Sequence, residues 1–172
     1  MALIIETGAG VTGANSYADL VFAASYHTAL GNEDWVGSDA DLTHALIVAC
    51  RALEQLYGSD LKSALSSAAQ ERLFPRKWFT DNLGRIVQTG TIPACWKEAQ
   101  CEIALMLLQE KDVFPTAADG AIKSQSITVG EYSESTEYHV PVQKEKHAGF
   151  RRVELLLAPI LNKKPSGWRL RA

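Results

Sequence analysis

Apolar side chains recur every three to four residues over several stretches of this chain, and polar or turn-forming residues separate them. Leu42, Ala45, Leu46, Ala49, Leu53 and Leu56 share one helical face, capped ahead by Ser38, Asp39 or Asp41 and stopped by Gly58. An earlier helix runs through Leu20, Ala23, Ala24 and Tyr26 to Leu30. Ser16 is its predicted N-cap, with Asp19 completing a capping box, and Gly31 ends it. Pro93 fits the first turn of a third helix, whose apolar face is Trp96, Ala99, Ile103, Ala104, Met106 and Leu107 and which reaches about Glu110. Phe150 to Leu161 reads as a fourth, short and amphipathic, with Pro159 near its end.

The period changes elsewhere. Ser124–Val129 and Ser133–Val140 alternate and are rich in Thr, Val, Ile and Tyr, which predicts a hairpin over about 124–140. Leu3 to Ile5 can form one short strand. Leu61, Leu65, Ala68 and Ala69 could share a helical face, but the serines among them oppose it, and Pro75 ends any helix there. Asp81, Asn82 and Gly84 signal a turn, with Arg85 to Gln88 extended after it. The expected fold is mainly α: a small helical bundle with a short β-hairpin and extended N- and C-terminal arms. One domain covers 1–172, divided into an arm (1–15), a helical core (16–161) and a basic tail (162–172).

Composition narrows the class. The chain has 172 residues, 47% hydrophobic and 22% charged, as in a globular protein. No apolar run approaches the roughly 20 residues of a membrane span, and no basic segment followed by an apolar core marks a signal peptide. Cys50, Cys95 and Cys101 are odd in number and lack CxxC spacing, so neither a disulfide framework nor a zinc site is expected; buried thiols in a reducing cytoplasm are. Charge is uneven. Residues 141–172 carry eight Lys/Arg and two Asp/Glu, net +6, whereas residues 1–140 carry nine and eighteen, net −9. A basic tail on an acidic body suits an acidic partner or nucleic acid, or a solvated segment.

Gly8, Gly10 and Gly13 spell GxGxxG, the pattern of a dinucleotide-binding loop. That mechanism needs a strand leading directly into the first glycine, a helix that starts at the glycines, and an acid ending a second strand about 20 residues on. Here Glu6 and Thr7 intervene, the predicted cap comes after Gly13, and no second strand follows. A turn or flexible arm is expected. His27, His44, His139 and His147 lack metal-ligand spacing, and Glu98 with Glu102, one turn apart, reads as a solvated helical face. There is no GxSxG and no Walker loop, so no catalytic residue, cofactor or metal is expected. Two clusters mix cations with aromatics, Arg76-Lys77-Trp78-Phe79 and Trp168 with Arg169 and Arg171. Such mixtures hold single-stranded nucleic acid, anchor protein interfaces, or lie at the edge of a core.

The order of these features resembles the head–tail adaptor (head-completion, or neck connector) proteins of tailed bacteriophages, some of which are labelled DnaT-like single-stranded-DNA-binding proteins. The matching pieces are "GANSYADL", "HALIVACRALEQLYG", "LFPRKWFTDNLGRIV", "IPACWKEAQCEIALMLL", "ITVGEYSESTEY" and "VELLLAPILN" before the basic tail. They cover nearly the whole chain. Phe74 stands where the family commonly has tryptophan. The resemblance implies a non-catalytic virion protein made in the host bacterial cytoplasm. It would form a ring, expected to be a dodecamer, between the portal protein and a tail-side neck or tail-terminator protein, with DNA passing through the channel and no membrane contact. On that reading Trp168, Arg169, Arg171, Lys163 and Lys164 would meet the portal, and Arg76, Lys77 and Trp78 a neighbouring subunit or the DNA channel. The alternative is a single-stranded-DNA-binding replication accessory protein.

Overall fold

Ser38 begins the longest helix. In the computed structural model, which describes residues 2–111, 113, 125–129, 132–136 and 148–162, its hydroxyl accepts from the Asp41 amide and the Asp41 carboxylate answers on the Ser38 amide. This capping box opens α2 (Asp39–Tyr57). The other helices are α1 (Leu20–Leu30), α3 (Ala94–Leu108) and α4 (Ala148–Leu157), and two hairpins complete the set. β1 (Phe79–Thr80) pairs with β2 (Ile86–Val87), and β3 (Gln125–Val129) with β4 (Tyr132–Thr136), both antiparallel. The expectation of a small, mainly α fold with a hairpin inside 124–140 is met.

α3 is the central element, with α1, α2 and α4 packed around it. The sequence explains its place: Trp96, Ala99, Cys101, Ile103, Ala104 and Met106 are buried around more than half of its circumference, and a helix that is apolar on most sides must be covered. Tyr17, Phe74 and Trp96 form an aromatic cluster beside it, with ring centroids 5.2–6.3 Å apart. Cys50 and Cys101 are buried and unbridged, and burial pushes both thiols up to about 12. At neutral pH they are inert packing groups.

Buried polar side chains lock the elements together. Gln100 is fully buried and satisfied at both ends. Its Oε1 accepts from the amides of Tyr17 (3.0 Å) and Ala18 (3.2 Å), and its Nε2 donates to Ser16 Oγ (2.7 Å) and the Leu46 carbonyl (2.9 Å). Glu54 on α2 receives the Tyr17 hydroxyl, the Leu73 amide and the Arg72 guanidinium. Glu102 is buried rather than solvated. It accepts from the Tyr26 hydroxyl (2.8 Å) and Arg152 (3.1 Å), so α1, α3 and α4 meet on one carboxylate. His27 is buried as well, stacked on Trp35 at 4.4 Å.

Several predicted boundaries shift. Asp19, not Ser16, caps α1, taking the Phe22 amide. Ser16 is buried and bonded to Gln100, because its hydroxyl serves the core better than the helix end. α3 stops at Leu108 and α4 at Leu157, two and four residues earlier than expected. Residues 59–74 hold only a short 3₁₀ turn, Gly58–Asp60, followed by irregular chain to the cis Phe74–Pro75 bond.

The first fifteen residues are not an extended arm. Ile5 bridges to Ser16, and Asn15 bonds back to both Ala2 and Ile4. The GxGxxG loop has a specific occupant. Buried Glu6 turns its carboxylate into it and takes the amides of Gly8 (2.8 Å), Gly10 (3.0 Å) and Val11 (2.8 Å). These are the kind of donors that cradle a phosphate in a dinucleotide site, and here the chain supplies the anion itself. Gly8 is required twice over: its φ is +100°, and a Cβ would stand 1.9 Å from the Gly90 carbonyl oxygen.

Candidate nucleic-acid interface

The β1–β2 hairpin is where the Arg76–Phe79 cluster comes to lie. Its turn is built by Asp81. The carboxylate's Oδ1 accepts from the amides of Leu83 (2.9 Å) and Arg85 (2.8 Å), and Oδ2 pairs with Arg85 Nε at 2.8 Å. Gly84, at φ +81°, supplies the left-handed residue that such a turn needs. Desolvation pushes the Asp81 carboxyl up, but the bonds from Arg85 and Leu83 outweigh it and hold the group below its ordinary value. A carboxyl lowered by folding stabilises the turn above its unfolded value of about 3.9 and loses that contribution as pH falls below it. Acidification below about pH 4 is therefore expected to loosen this turn, moving the Leu83 and Arg85 amide resonances only under the ordinary carboxylate range, and Asp81→Asn should abolish that titration.

The base of the hairpin is clamped. Arg76 is buried, and its guanidinium donates to the carbonyls of Lys62 (2.8 Å), Leu73 (3.3 Å) and Ser63. The Lys77 amide donates to the Ala64 carbonyl (2.9 Å), and Ser63 Oγ donates to the Lys77 carbonyl (2.9 Å). Arg76 is thus a staple between two chain segments, not an exposed cation. This is a correction to its sequence-level place beside Lys77 and Trp78, because three carbonyls already use its charge.

Lys77 and Trp78 do reach solvent, and Trp78 is 65% exposed. The strand alternation explains why. Phe79 is buried in the core and Val87, opposite it, is packed against the core, so Trp78, Thr80 and Ile86 face outward. Ile86 (62% exposed) lies diagonally across from Trp78, and Leu83 (67%) stands at the tip. Over residues 74–90 there are three cations, Arg76, Lys77 and Arg85, and one acid, Asp81. This ribbon is locally basic within an acidic 140-residue stretch. Lys62 adds a further ammonium at its flank, bonded to the Thr80 carbonyl at 3.1 Å.

A shallow cleft of about 480 Å³ lies between the ribbon and the start of α3, bordered by Arg85, Ile86, Cys95, Glu98 and Ile160. Burial pushes the Cys95 thiol up to about 11, so it is not a thiolate at neutral pH. Among the described residues no group of three or more His, Cys, Asp or Glu side chains is placed to hold a metal, and no helix is long and apolar enough to cross a membrane. Lys163, Lys164, Trp168, Arg169 and Arg171 lie outside the described residues.

The sequence pointed to Lys77 and Trp78 and to the turn at Asp81, Asn82 and Gly84, but missed Leu83 and Ile86 as part of the exposed face. The signal was present. Asp81-Asn82-Leu83-Gly84 between two short apolar pairs is a hairpin turn, and Ile86 then falls on the outward side by alternation.

A family model described as "Putative DnaT-like ssDNA binding protein" matches residues 1–172. No curated protein and no solved structure matches the chain.

Proposed function

Because the chain belongs to the DnaT-like ssDNA binding protein family, we propose that it binds single-stranded DNA without catalysis, through the β1–β2 ribbon. One observation carries this reading: a tryptophan presented to solvent on a clamped, locally basic hairpin. An indole face stacks on any base, and Lys77, its neighbour in the chain, attracts phosphates. The net −9 of residues 1–140 does not oppose this, since a strand responds to charge within about a Debye length, roughly 8–10 Å. The test is titration of a labelled oligothymidylate and the matching duplex at 50 and 200 mM salt. Single-strand binding with a dissociation constant in the region of 10⁻⁶–10⁻⁴ M, weakening steeply with salt, is expected. Equal binding of the duplex, or none of either, would remove the reading.

A second reading has its own observation. α1 is apolar on all sides yet only half covered, with Val21 76% and Leu30 50% exposed, and Val36 follows at 70%. Such a helix favours protein contact. It fits a head–tail adaptor of a phage virion, a ring seated between portal protein and tail-side proteins with DNA in its channel. Adding the purified protein to tailless, DNA-filled heads discriminates: new density at the portal vertex supports the adaptor, and its absence alongside tight single-strand binding supports the first reading.

A further inference from the structure

The cleft between the ribbon and the start of α3 holds an acceptor that the fold leaves unused. Two carboxylates line it, Asp81 and Glu98. Asp81 is spent on its own turn, bonded to the Leu83 and Arg85 amides and to Arg85 Nε. Glu98, one helical turn before the buried Glu102, is half-buried and makes no hydrogen bond or ion pair among the described residues. A partly desolvated acceptor without a donor gains by taking one from a ligand. The rest of the cleft suits a flat ring with a polar edge. Ile86, Pro93, Cys95 and Ile160 give it apolar walls, and Gln88 and Thr91 bring donors to its rim. Ile86 is shared: it lines the cleft and lies on the same outward face as Trp78, one β-strand over. Neighbouring β-strands are about 4.8 Å apart, so the mouth of the cleft is a short step from the indole.

From this arrangement we infer that the cleft is a nucleobase subsite for the DNA strand stacked on Trp78, and that Glu98 reads the base in it by accepting from an exocyclic amino group. The inference rests on the single-strand reading above and extends it from binding to base preference. Cytosine offers its N4 amino group to such a carboxylate, and adenine its N6. Thymine presents the O4 carbonyl at the same place, which a carboxylate repels. The negative charge of Glu98 also disfavours a phosphate in the cleft, so the strand enters it base first.

Fluorescein-labelled 15-nucleotide oligocytidylate and oligothymidylate test this, each titrated against the full chain and against Glu98→Gln. Circular dichroism confirms that both proteins are folded. The full chain should bind oligocytidylate at least about fivefold more tightly than oligothymidylate, the lower end for one base-edge contact. Glu98→Gln should bring that ratio close to one, because the new amide donates to thymine O4 while its oxygen still accepts from cytosine. No binding of either oligonucleotide by the full chain would overturn the single-strand reading itself. Equal binding of the two by the full chain, or a preference for oligothymidylate, would overturn only the base subsite. So would a preference for oligocytidylate that survives unchanged in Glu98→Gln, since Glu98 would then not be the group that reads the base.

Discussion

Glu54→Ala should lower the stability of the fold by about 1–3 kcal/mol, the range for leaving hydrogen-bond donors in a half-buried junction without their shared acceptor. The single carboxylate holds three groups from distant parts of the chain: the Tyr17 hydroxyl, the Leu73 amide and Arg72 Nη1 at 3.0 Å. Its loss strands a guanidinium of which one nitrogen, Nε, already has no partner. It also frees the entry to the Phe74–Pro75 segment, whose aromatic ring fills the core between Tyr17 and Trp96. For a domain of this size the midpoint of thermal unfolding should fall by roughly 2–12 °C. Glu54→Gln, which keeps the volume and one acceptor, should fall between the two. A drop of less than 2 °C for the alanine variant would mean that the Tyr17–Glu54–Arg72 junction contributes little, and would place the stability of this corner in the aromatic cluster alone.

The second large effect is on binding. Trp78→Ala should cost about 1–3 kcal/mol of single-strand affinity, or roughly 5- to 150-fold, the usual range for one base–aromatic stack. Stability should barely change, because the indole is mostly in solvent while the backbone around it is fixed: the Trp78 amide donates to Thr89 Oγ1 at 3.0 Å whatever the side chain. Trp78→Phe should recover much of the loss. Quenching of tryptophan emission on adding oligothymidylate, present in the full chain and reduced in the variant, reports the same contact directly. Unchanged affinity in Trp78→Ala would move the binding surface off the ribbon.

The periodic part of the fold was legible in the sequence. α2 is found between Ser38 and Gly58 because its cap, its apolar face and its stop all agree. What was not legible depends on partners far along the chain. Ser16 has the local chemistry of a cap, but Gln100, 84 residues away, claims its hydroxyl. Glu102 has the spacing of a surface residue, yet Tyr26 and Arg152 make its burial tolerable. The glycine loop carries a signal that is locally correct and globally misleading: its amides do bind an anion, and the anion is Glu6. In the candidate site, the aromatic–cation pair Lys77–Trp78 was visible as composition. Arg76 belonged to the same run of letters but was diverted inward by three carbonyls that no local pattern announces.

That diversion has a mechanical consequence. On the proposed single-strand reading, a bound strand under tension would pull on Trp78, and the pull would have to leave the ribbon somewhere. Arg76 and the Lys77–Ala64 bond lead it into residues 62–73, and from there Glu54 passes it to α2. At the other end Gly90 abuts Gly8 in backbone contact. The hairpin therefore behaves as a beam built in at both supports rather than as a free finger. It would hold a strand at one fixed angle to the bundle, and little freedom would remain for it to lose when the strand arrives.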